Sequence, residues 1–497
     1  MSKPDLVNKK NSPEDSGMTR RDFLKFAATS VTGMAAVTLL NKFYYPVSAA
    51  LSTPQTDTST PAIIRQTDKC IGCGSCVEVC ENTQKIGIYQ LYKEDGKAYS
   101  DTKGHVSLLE TSCINCGQCV KVCPVGALTE KDSLKEALAA LSDTSKHIVW
   151  QIAPSVQNML GEEFGLSSGA DVTKKIASAM KLLGGDAFNT DFGADVTIVE
   201  ESYEFINRLQ NGGPFPMITS CCPGWIKYAE FHYPDLFDYI SSCKSPQQMF
   251  GALVKSYYAE KNNLSPEQIF HISVMPCTAK KFECSRGEME NSSGIRDVDL
   301  VLTSREFAQI LRSKGIALSD LEDTNFDQLM GESSGAARIF GTSGGVMESA
   351  LRTVVSLQTN KTLSSISFDS LRTQNGIKTA TLDIGGSEVR AAVVNGIGNI
   401  SSMMNDVLNG TSPYHFIEVM ACPGGCIGGG GAPLHTGNMT MRQDGIYRSD
   451  KSNSSATALE NNAIKRLYGD YLGKPCGKLS EQLLHTSYID RSDDYVI

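Results

Sequence analysis

Sixteen cysteines are distributed along the 497 residues in a pattern that limits what this chain can fold into. Eight of them form two runs with the same internal spacing, at residues 70–80 and 113–123. Five more lie in three short blocks, as Cys221 and Cys222, Cys277, and Cys422 and Cys426. Repeated runs of closely spaced cysteines are typical of metal sites. We therefore expect most of the thiols to be ligands, with Cys243, Cys284 and Cys476 left over.

The two runs have the spacing Cys-x2-Cys-x2-Cys-x3-Cys, which is the bacterial ferredoxin pattern for two [4Fe-4S] clusters. In that pattern the fourth cysteine of each run ligates the other cluster. The first cluster is predicted to take Cys70, Cys73, Cys76 and Cys123, and the second Cys113, Cys116, Cys119 and Cys80. Structural zinc is a weak alternative, because zinc sites usually need only two cysteine pairs. Glu81 stands where proline would follow the first run, which removes no ligand.

The composition is that of an ordinary globular protein with room for two or three domains. Hydrophobic residues make up 41% of the chain and charged residues 20%, with a net charge of -9. Such a chain offers no basic stripe for phosphates, so nucleic acid is excluded as an expected partner. A small, positively charged redox partner would suit this surface better.

The first fifty residues are predicted to be a targeting segment. Thr19-Arg-Arg-Asp-Phe-Leu-Lys25 precedes a mildly apolar stretch, and Ser48-Ala-Ala50 offers a cleavage site. This pattern is typical of a signal read by the twin-arginine translocase, and a chance arginine pair is the less favoured alternative. We expect residues 1–50 to be the signal, cleaved or kept as an anchor, and residues 51–61 to be a Ser/Thr/Pro linker. The protein is then expected in the periplasm or on the outer face of the cytoplasmic membrane.

From Lys146 onward, apolar runs alternate with helical patterns. Residues 147–153 and 298–302 are predicted to be buried strands, residues 171–183 a helix, and Thr303-Ser-Arg-Glu306 the capping box of another helix. Such alternation is typical of parallel sheets covered by helices. We therefore predict an α/β domain at residues 146–440, preceded by a small α+β ferredoxin-like domain at residues 62–135.

Each of the three cysteine blocks directly follows a predicted strand. These strands are predicted at residues 216–218, 269–275 and 416–420. Ligands of α/β sheets bind beyond the carboxyl ends of the strands. We therefore expect the three blocks to converge on one buried cofactor.

Together the blocks resemble the active-site signatures of the [FeFe]-hydrogenases. They read Thr219-Ser-Cys-Cys-Pro-Gly-Trp225, Met275-Pro-Cys-Thr-Ala-Lys-Lys-Phe-Glu283 and Glu418-Val-Met-Ala-Cys-Pro-Gly-Gly-Cys-Ile-Gly-Gly-Gly-Gly431. The resemblance implies a two-lobed catalytic domain with an H-cluster, in which a [4Fe-4S] cubane is joined to a diiron unit carrying CO, CN and a bridging dithiolate. It implies that Cys222, Cys277, Cys422 and Cys426 hold the cubane, that Cys426 bridges to the diiron unit, and that Lys280 donates to a cyanide. Residues 454–497 resemble the family's small subunit, fused here to the main chain.

The same resemblance implies that Cys221 passes protons to and from the site. The relay beyond it would be Glu204, Ser241 and Glu201, ending near Arg208 at the surface. The spacing is consistent with this, because Glu201, Glu204 and Arg208 are separated by three and four residues on one predicted helix. From the residues alone, a salt-bridge ladder on the surface is the better interpretation, and Cys221 could equally be a second cluster ligand or a small buried residue.

Further positions match segments that enclose the diiron unit in the family. They are Ala153, Pro154, Ser155, Pro246, Gln247, Met275, Phe340 and Met420. Taken singly, each would more often belong to core packing. Ala432 stands where the family usually has glutamine, which puts one contact in doubt.

The implied function is the reversible interconversion of H2 with protons and electrons. Electrons would pass through the two ferredoxin-type clusters to an external carrier such as a c-type cytochrome or ferredoxin, and hydrogenase maturation proteins would insert the diiron unit. Export favours hydrogen uptake. Two alternatives are a hydrogen-sensing regulatory protein and an iron-sulfur protein lacking the diiron unit. Cys221, Cys222 and Lys280 together disfavour both.

Overall fold

The computed structural model describes residues 56–359, 376–434 and 438–496. The chain divides into two units, residues 1–53 and residues 54–497. The first unit lies outside the described residues, and so do the predicted signal and the first part of the predicted linker. Among the helices of the described ranges, none has both the length and the apolar character needed to cross a bilayer.

The strands form four sheets in the described part of the chain. The three-stranded sheet has the order β1-β2-β5, the hairpin is β3-β4, and the two four-stranded sheets have the orders β10-β9-β6-β7 and β11-β12-β13-β8. In chain order the strands are β1 (Thr56–Asp57), β2 (Ile63–Gln66), β3 (Tyr89–Glu94), β4 (Lys97–Thr102), β5 (Leu128–Glu130), β6 (His147–Ile152), β7 (Asp186–Asn189), β8 (Met217–Ile218), β9 (Ile269–Met275), β10 (Leu300–Thr303), β11 (Ile377–Ile384), β12 (Ser387–Asn395) and β13 (Phe416–Met420).

The α-helices flank these sheets, together with short 3-10 and π turns. In chain order they are α1 (Ser75–Glu78), α2 (Gln118–Val122), α3 (Leu134–Ser142), α4 (Pro154–Gln157), α5 (Thr173–Leu183), α6 (Asp191–Asn211), α7 (Pro223–His232), α8 (Pro246–Leu253), α9 (Ala259–Lys261), α10 (Ala279–Glu283), α11 (Ser304–Ser313), α12 (Gly335–Arg338), α13 (Gly345–Thr359), α14 (Ser401–Leu408), α15 (Met439–Ser452), α16 (Asn462–Leu467) and α17 (Lys478–Leu484).

The predicted α/β architecture is confirmed. Strands β10, β9, β6 and β7 are all parallel, and β12, β13 and β8 are parallel in the second sheet, where only β11 pairs antiparallel. Strand β6 lies inside the first sheet and is buried from Ile148 onward, with Trp150 opposite Ile272. Runs of Val, Ile and Trp suit such a strand, because both of its faces are covered by helices.

Several predicted boundaries shift by one or two residues. Strand β10 begins at Leu300 rather than at Val298, because Asp297 and Asp299 turn their carboxylates to Lys244 and Lys255 before the ladder begins. Helix α11 begins at Ser304, after the predicted capping box in which the N-cap Thr303 accepts from the Glu306 amide. In the tail, helix α16 ends at Leu467, and a π turn over Tyr468–Leu472 follows.

The strands that precede the cysteine blocks belong to different sheets. Strand β9 leads to Cys277 from the first sheet, whereas β8 and β13 lead to the other two blocks from the second sheet. The three blocks therefore meet between the two sheets. This is the position at which a two-lobed domain can enclose a ligand.

Candidate active site

One cavity receives all three cysteine blocks. It contains about 730 Å³ of space free of protein atoms, and its wall includes Cys221, Cys222, Cys277, Cys422 and Cys426. Cys222 is the N-cap of α7, and Pro223 occupies the first turn of that helix. Gly425 has φ +81°, and a Cβ there would lie 2.6 Å from the Ser343 amide nitrogen. The last block can therefore wrap the cavity only with glycine at this position.

The four thiols predicted to hold a cubane face this same space. Each is free of disulfides. Burial raises the pKa of Cys426 to about 12 and that of Cys277 further, and the charge of Cys222 adds to the effect on both. Thiols that burial and mutual repulsion keep protonated become good ligands once a cation replaces their protons. This donor set fits an iron-sulfur cluster.

Lys280 lies on the cavity wall with a largely buried side chain. Its Nζ donates to Glu283 at 2.9 and 3.0 Å and to the Cys221 carbonyl oxygen at 3.2 Å. Burial alone would lower the pKa of Lys280, but the Glu283 carboxylate reverses this, so the pKa is raised. The ammonium is therefore a fixed positive charge beside the thiols. The sequence analysis gave Glu283 no role, although its Lys-x-x-Glu spacing on α10 could have indicated the pair.

The remaining wall is largely apolar. All eight predicted enclosing residues line the cavity, namely Ala153, Pro154, Ser155, Pro246, Gln247, Met275, Phe340 and Met420. Their contact with a cofactor stays a prediction. The wall also contains Thr190, Ala194 and Gly341, which the sequence analysis missed. Gly341 could not have been singled out from its sequence context, because its closeness to Ser155 is a tertiary contact.

Cys221 and Glu201 lie together at one side of the cavity. Burial raises the pKa of the Cys221 thiol well above its usual value, and Glu201 is the nearby charge that adds most to this. Glu201 is fully buried, and within the described residues neither of its carboxyl oxygens has a hydrogen-bond partner of good geometry. Burial, reinforced by the Glu204 charge, raises the pKa of Glu201 to about 8. At neutral pH both groups therefore hold a proton.

The other relay residues continue from Glu201 toward the surface. The Ser241 hydroxyl donates to Glu204 Oε2 at 2.7 Å, and Arg208 Nη2 donates to Glu204 Oε1 at 2.7 Å. Only the Glu204–Arg208 end is partly exposed. The expected order, with Glu204 next to Cys221, is therefore corrected. Glu201 is the inner carboxyl and Glu204 the outer one, because Arg208 draws Glu204 toward the helix end.

Two smaller cavities contain the ferredoxin-type cysteines. Cys70, Cys73, Cys76 and Cys123 line one, and Cys80, Cys113, Cys116 and Cys119 line the other, in the predicted grouping. Two hydrogen bonds connect the surroundings of the second cavity to the cysteine blocks of the active site. Gln84 Nε2 donates to the Ala421 carbonyl oxygen at 3.1 Å, and the Thr278 hydroxyl donates to the Asn115 carbonyl oxygen at 2.6 Å. Cys73, on the first cavity, is exposed.

Comparison with known proteins gives the same assignment along most of the chain. Residues 146–430 match the "Iron only hydrogenase large subunit, C-terminal domain", residues 436–491 the "Iron hydrogenase small subunit", and residues 69–127 the "4Fe-4S dicluster domain".

Similar proteins are found among curated sequences and solved structures. The NADP-reducing hydrogenase subunit HndD of Solidesulfovibrio fructosivorans is 43% identical over 86% of this chain and 75% of its own length. The periplasmic [Fe] hydrogenase large subunit of Nitratidesulfovibrio vulgaris is 45% identical over 74% of this chain and 86% of its own length. The structure of a variant of the [FeFe]-hydrogenase HydA1 from Chlamydomonas reinhardtii is 38% identical, with a TM-score of 0.66, covering 74% of this chain and 100% of that one.

Fold and site together define an iron-sulfur enzyme. The chain belongs to the iron-only, or [FeFe]-, hydrogenase family. Its cofactors are those of the family, two [4Fe-4S] clusters and an H-cluster.

Proposed function

We propose that this protein is an exported hydrogenase that takes up H2, releases the protons through Cys221 and Glu201, and passes the electrons outward through the two ferredoxin-type clusters. The observation that carries the proposal is the convergence of four cluster thiols, Cys221 and Lys280 on one enclosed cavity. The H-cluster, when bound, supplies the redox-active metal at which H2 and protons interconvert.

The chain's own groups hold and orient the cofactor. Cys222, Cys277, Cys422 and Cys426 supply the thiolates, and Cys426 would link the cubane to the diiron unit. The buried Lys280 ammonium faces anionic ligands with a fixed positive charge, and the apolar wall keeps water away, which strengthens that charge interaction. Glu283 positions Lys280 by accepting two hydrogen bonds from it.

The proton path starts at Cys221, the one thiol on the cavity wall that the cubane does not need. From there a proton would pass to Glu201, then through Ser241 to Glu204 and out beside Arg208. A pKa of about 8 suits Glu201 for this task, because a transfer group works best when its pKa is near the working pH. The hydrogen bond of Ser241 to Glu204 and the partial exposure of Arg208 support the outer half of the path.

The electron path would run from the H-cluster cubane to the cluster at Cys80, Cys113, Cys116 and Cys119, and then to the cluster at Cys70, Cys73, Cys76 and Cys123. Two contacts support this order, those of Gln84 and Asn115 with the cysteine blocks of the active site. The exposed Cys73 is then the exit. An external carrier such as a c-type cytochrome or a ferredoxin would take the electrons there.

The Arg20-Arg21 segment and the similarity to a periplasmic relative support an exported location. We propose that residues 1–50 are a twin-arginine signal, that residues 62–135 and 146–440 are the ferredoxin-like and catalytic domains, and that residues 454–497 act as a fused small subunit. Maturation proteins would load the H-cluster before the twin-arginine translocase exports the folded chain.

Hydrogen-dependent reduction of a viologen dye by the anaerobically purified protein, co-produced with the maturation proteins, tests the activity. Rapid turnover in both directions, with uptake the faster, is the expected result. Full iron content together with cyanide and carbonyl infrared bands, but without turnover, would favour a sensor. Full iron in the cubanes without those bands would favour an iron-sulfur protein lacking the diiron unit.

A further inference from the structure

A second group of metal-type side chains lies where the tail meets helix α6, apart from the active-site cavity. Ligand atoms of Glu200, Cys476 and His485 all lie within 4.8 Å of one another. Another such group shares His485 and adds Cys243 and Glu204. We call Glu200, Cys476 and His485 the seam cluster. The Cys476 thiol belongs to none of the iron sites described above and is free of disulfides.

The seam cluster is held in place by backbone contacts. Cys243 and His485 are direct partners in an antiparallel β-bridge, so their side chains start from adjacent positions. The Cys476 amide donates to Glu200 Oε2 at 2.7 Å, and its thiol lies 3.6 Å from the Glu200 carbonyl oxygen. Cys476 has φ +50°, a conformation that a residue other than glycine seldom adopts. Glu200 and two residues of the tail, Cys476 and His485, are thus fixed in one place.

The surroundings of His485 match those of a ligating histidine. Its Nε2 lies 3.2 Å from Glu200 Oε2, and its Nδ1 lies 2.8 Å from the Ser242 hydroxyl. Ligating histidines almost always bind a polar partner through the second ring nitrogen, which fixes the ring. Glu200 and Cys243 are fully buried, and the His485 side chain is 10% exposed. A cation bound there would be shielded from water yet within reach of the surface.

We propose that the seam cluster binds one thiophilic divalent cation of the zinc type, held by the Cys476 sulfur, a His485 ring nitrogen and a Glu200 carboxylate oxygen, with a water as the fourth ligand. A thiolate, an imidazole and a carboxylate are donors that Zn²⁺ takes in tetrahedral sites, and three protein ligands with one water are a known arrangement. Binding releases the thiol proton to solvent and changes no oxidation state. The cation clamps the tail, through Cys476 and His485, to Glu200 on α6.

The site does not depend on hydrogenase activity, so it can be tested by metal content. The matured holoenzyme is incubated with Zn²⁺, freed of loose metal by gel filtration with a weak chelator, and measured for zinc and iron. We expect one zinc per chain with the iron content unchanged. X-ray absorption at the zinc edge should give one sulfur neighbour at about 2.3 Å and nitrogen or oxygen neighbours at about 2.0–2.2 Å.

Variants separate the seam cluster from the iron sites. Cys476→Ser and His485→Gln should each weaken zinc binding by more than the roughly 10–100-fold that loss of an outer partner costs. The matched control is Cys284→Ala, because that buried thiol donates only to the Lys281 carbonyl oxygen, at 3.2 Å, and should leave zinc binding as it is. Zinc should raise the unfolding temperature of the wild type and not that of Cys476→Ser.

Three results would overturn the proposal. Cys476→Ser could retain as much zinc as the wild type, the zinc could have no sulfur neighbours, or zinc uptake could be matched by loss of iron. The last result would mean that zinc enters the iron sites. None of these results bears on whether the active site oxidises hydrogen.

Discussion

Glu200 and Glu201 are neighbours on helix α6, and both are fully buried, yet their surroundings differ completely. Glu200 faces the tail and accepts from Tyr468, Ser480, the Cys476 amide and His485. Glu201 faces the Cys221 side of the cavity and has no partner of good geometry among the described residues. Burial alone would raise the pKa of Glu200, but its donors, His485 foremost, lower it, whereas burial raises the pKa of Glu201 to about 8.

The comparison shows that burial is not the only influence on the pKa of a carboxyl group. At Glu200 the donors from the tail outweigh burial, whereas at Glu201 burial and the neighbouring Glu204 charge dominate. In this protein the charged glutamate fastens the tail, and the neutral one lies beside the cavity. Predictions that change one glutamate and leave the other intact therefore test the comparison.

The largest expected effect is on turnover. Glu201→Gln keeps the shape of the side chain but cannot pass a proton, so hydrogen-dependent dye reduction should fall by about 10²–10⁴-fold, the usual worth of a proton-transfer group. Cofactor loading, judged by iron content and infrared bands, should not change. Glu260→Gln, at an exposed position, is the control. Turnover within a factor of three of the wild type would remove Glu201 from the proton path.

The next largest effect is on stability and concerns Glu200. Glu200→Gln leaves donors from the tail facing a neutral amide, so the free energy of unfolding should fall by about 2–3 kcal/mol, the worth of hydrogen bonds to a charged group. Denaturant unfolding of the holoenzyme measures this. Equal losses in Glu200→Gln and Glu201→Gln would mean that the two sites do not differ as described.

The pH dependence of stability should separate the two glutamates again. Because the folded pKa of Glu201 is raised, folded protein keeps a proton that unfolded protein loses above its ordinary pKa. Stability from this group is thus complete below that ordinary pKa and is lost as pH rises to about 8. In that window wild-type stability should fall relative to Glu201→Gln, by at most about 1.4 kcal/mol per pH unit. A difference that does not vary with pH would contradict a protonated Glu201.

The smallest effect is expected at the outer end of the path. Arg208→Gln removes the charged partner of Glu204, in a pair at 2.7 Å whose side chains are 11% and 14% exposed. Stability should fall by no more than about 1 kcal/mol, and wild-type turnover should depend more on salt than variant turnover does, because exposed pairs are screened. Salt titrations of both proteins measure this. If Arg208→Gln lowered turnover as much as Glu201→Gln does, the critical proton-transfer step would lie at the surface instead.

Much of the fold could be predicted because its signals are local. Strands β9 and β13 were predicted with their observed ends, and the capping box fixed the start of α11. The start of β10 could not be predicted, because Asp297 and Asp299 bind lysines from distant segments. The end of α16 could not be predicted either, because the helical pattern continues through the π turn at Tyr468–Leu472.

The candidate site likewise has a part that local sequence signals predicted and a part that depends on contacts between distant segments. Cysteine spacing predicted which thiols share a cavity, since ligand spacing is set by the geometry of the cluster. The order of Glu201 and Glu204 could not be read from helical spacing, which puts both on one face without saying which is deeper. Glu418, buried with a pKa raised to about 7 and bonded to the Gly344 and Met347 amides, was missed because its partners come from another part of the chain.

The difference in charge between the two glutamates can be observed directly by infrared spectroscopy of the holoenzyme at neutral pH. The spectrum of the wild type minus that of Glu201→Gln should contain the carbonyl band of a protonated carboxyl group, and the corresponding difference for Glu200→Gln should contain only carboxylate bands. If the protonated band is lost in Glu200→Gln, or in neither variant, hydrogen-bond donors do not set the charge of these two residues and the proposed proton path loses its inner step.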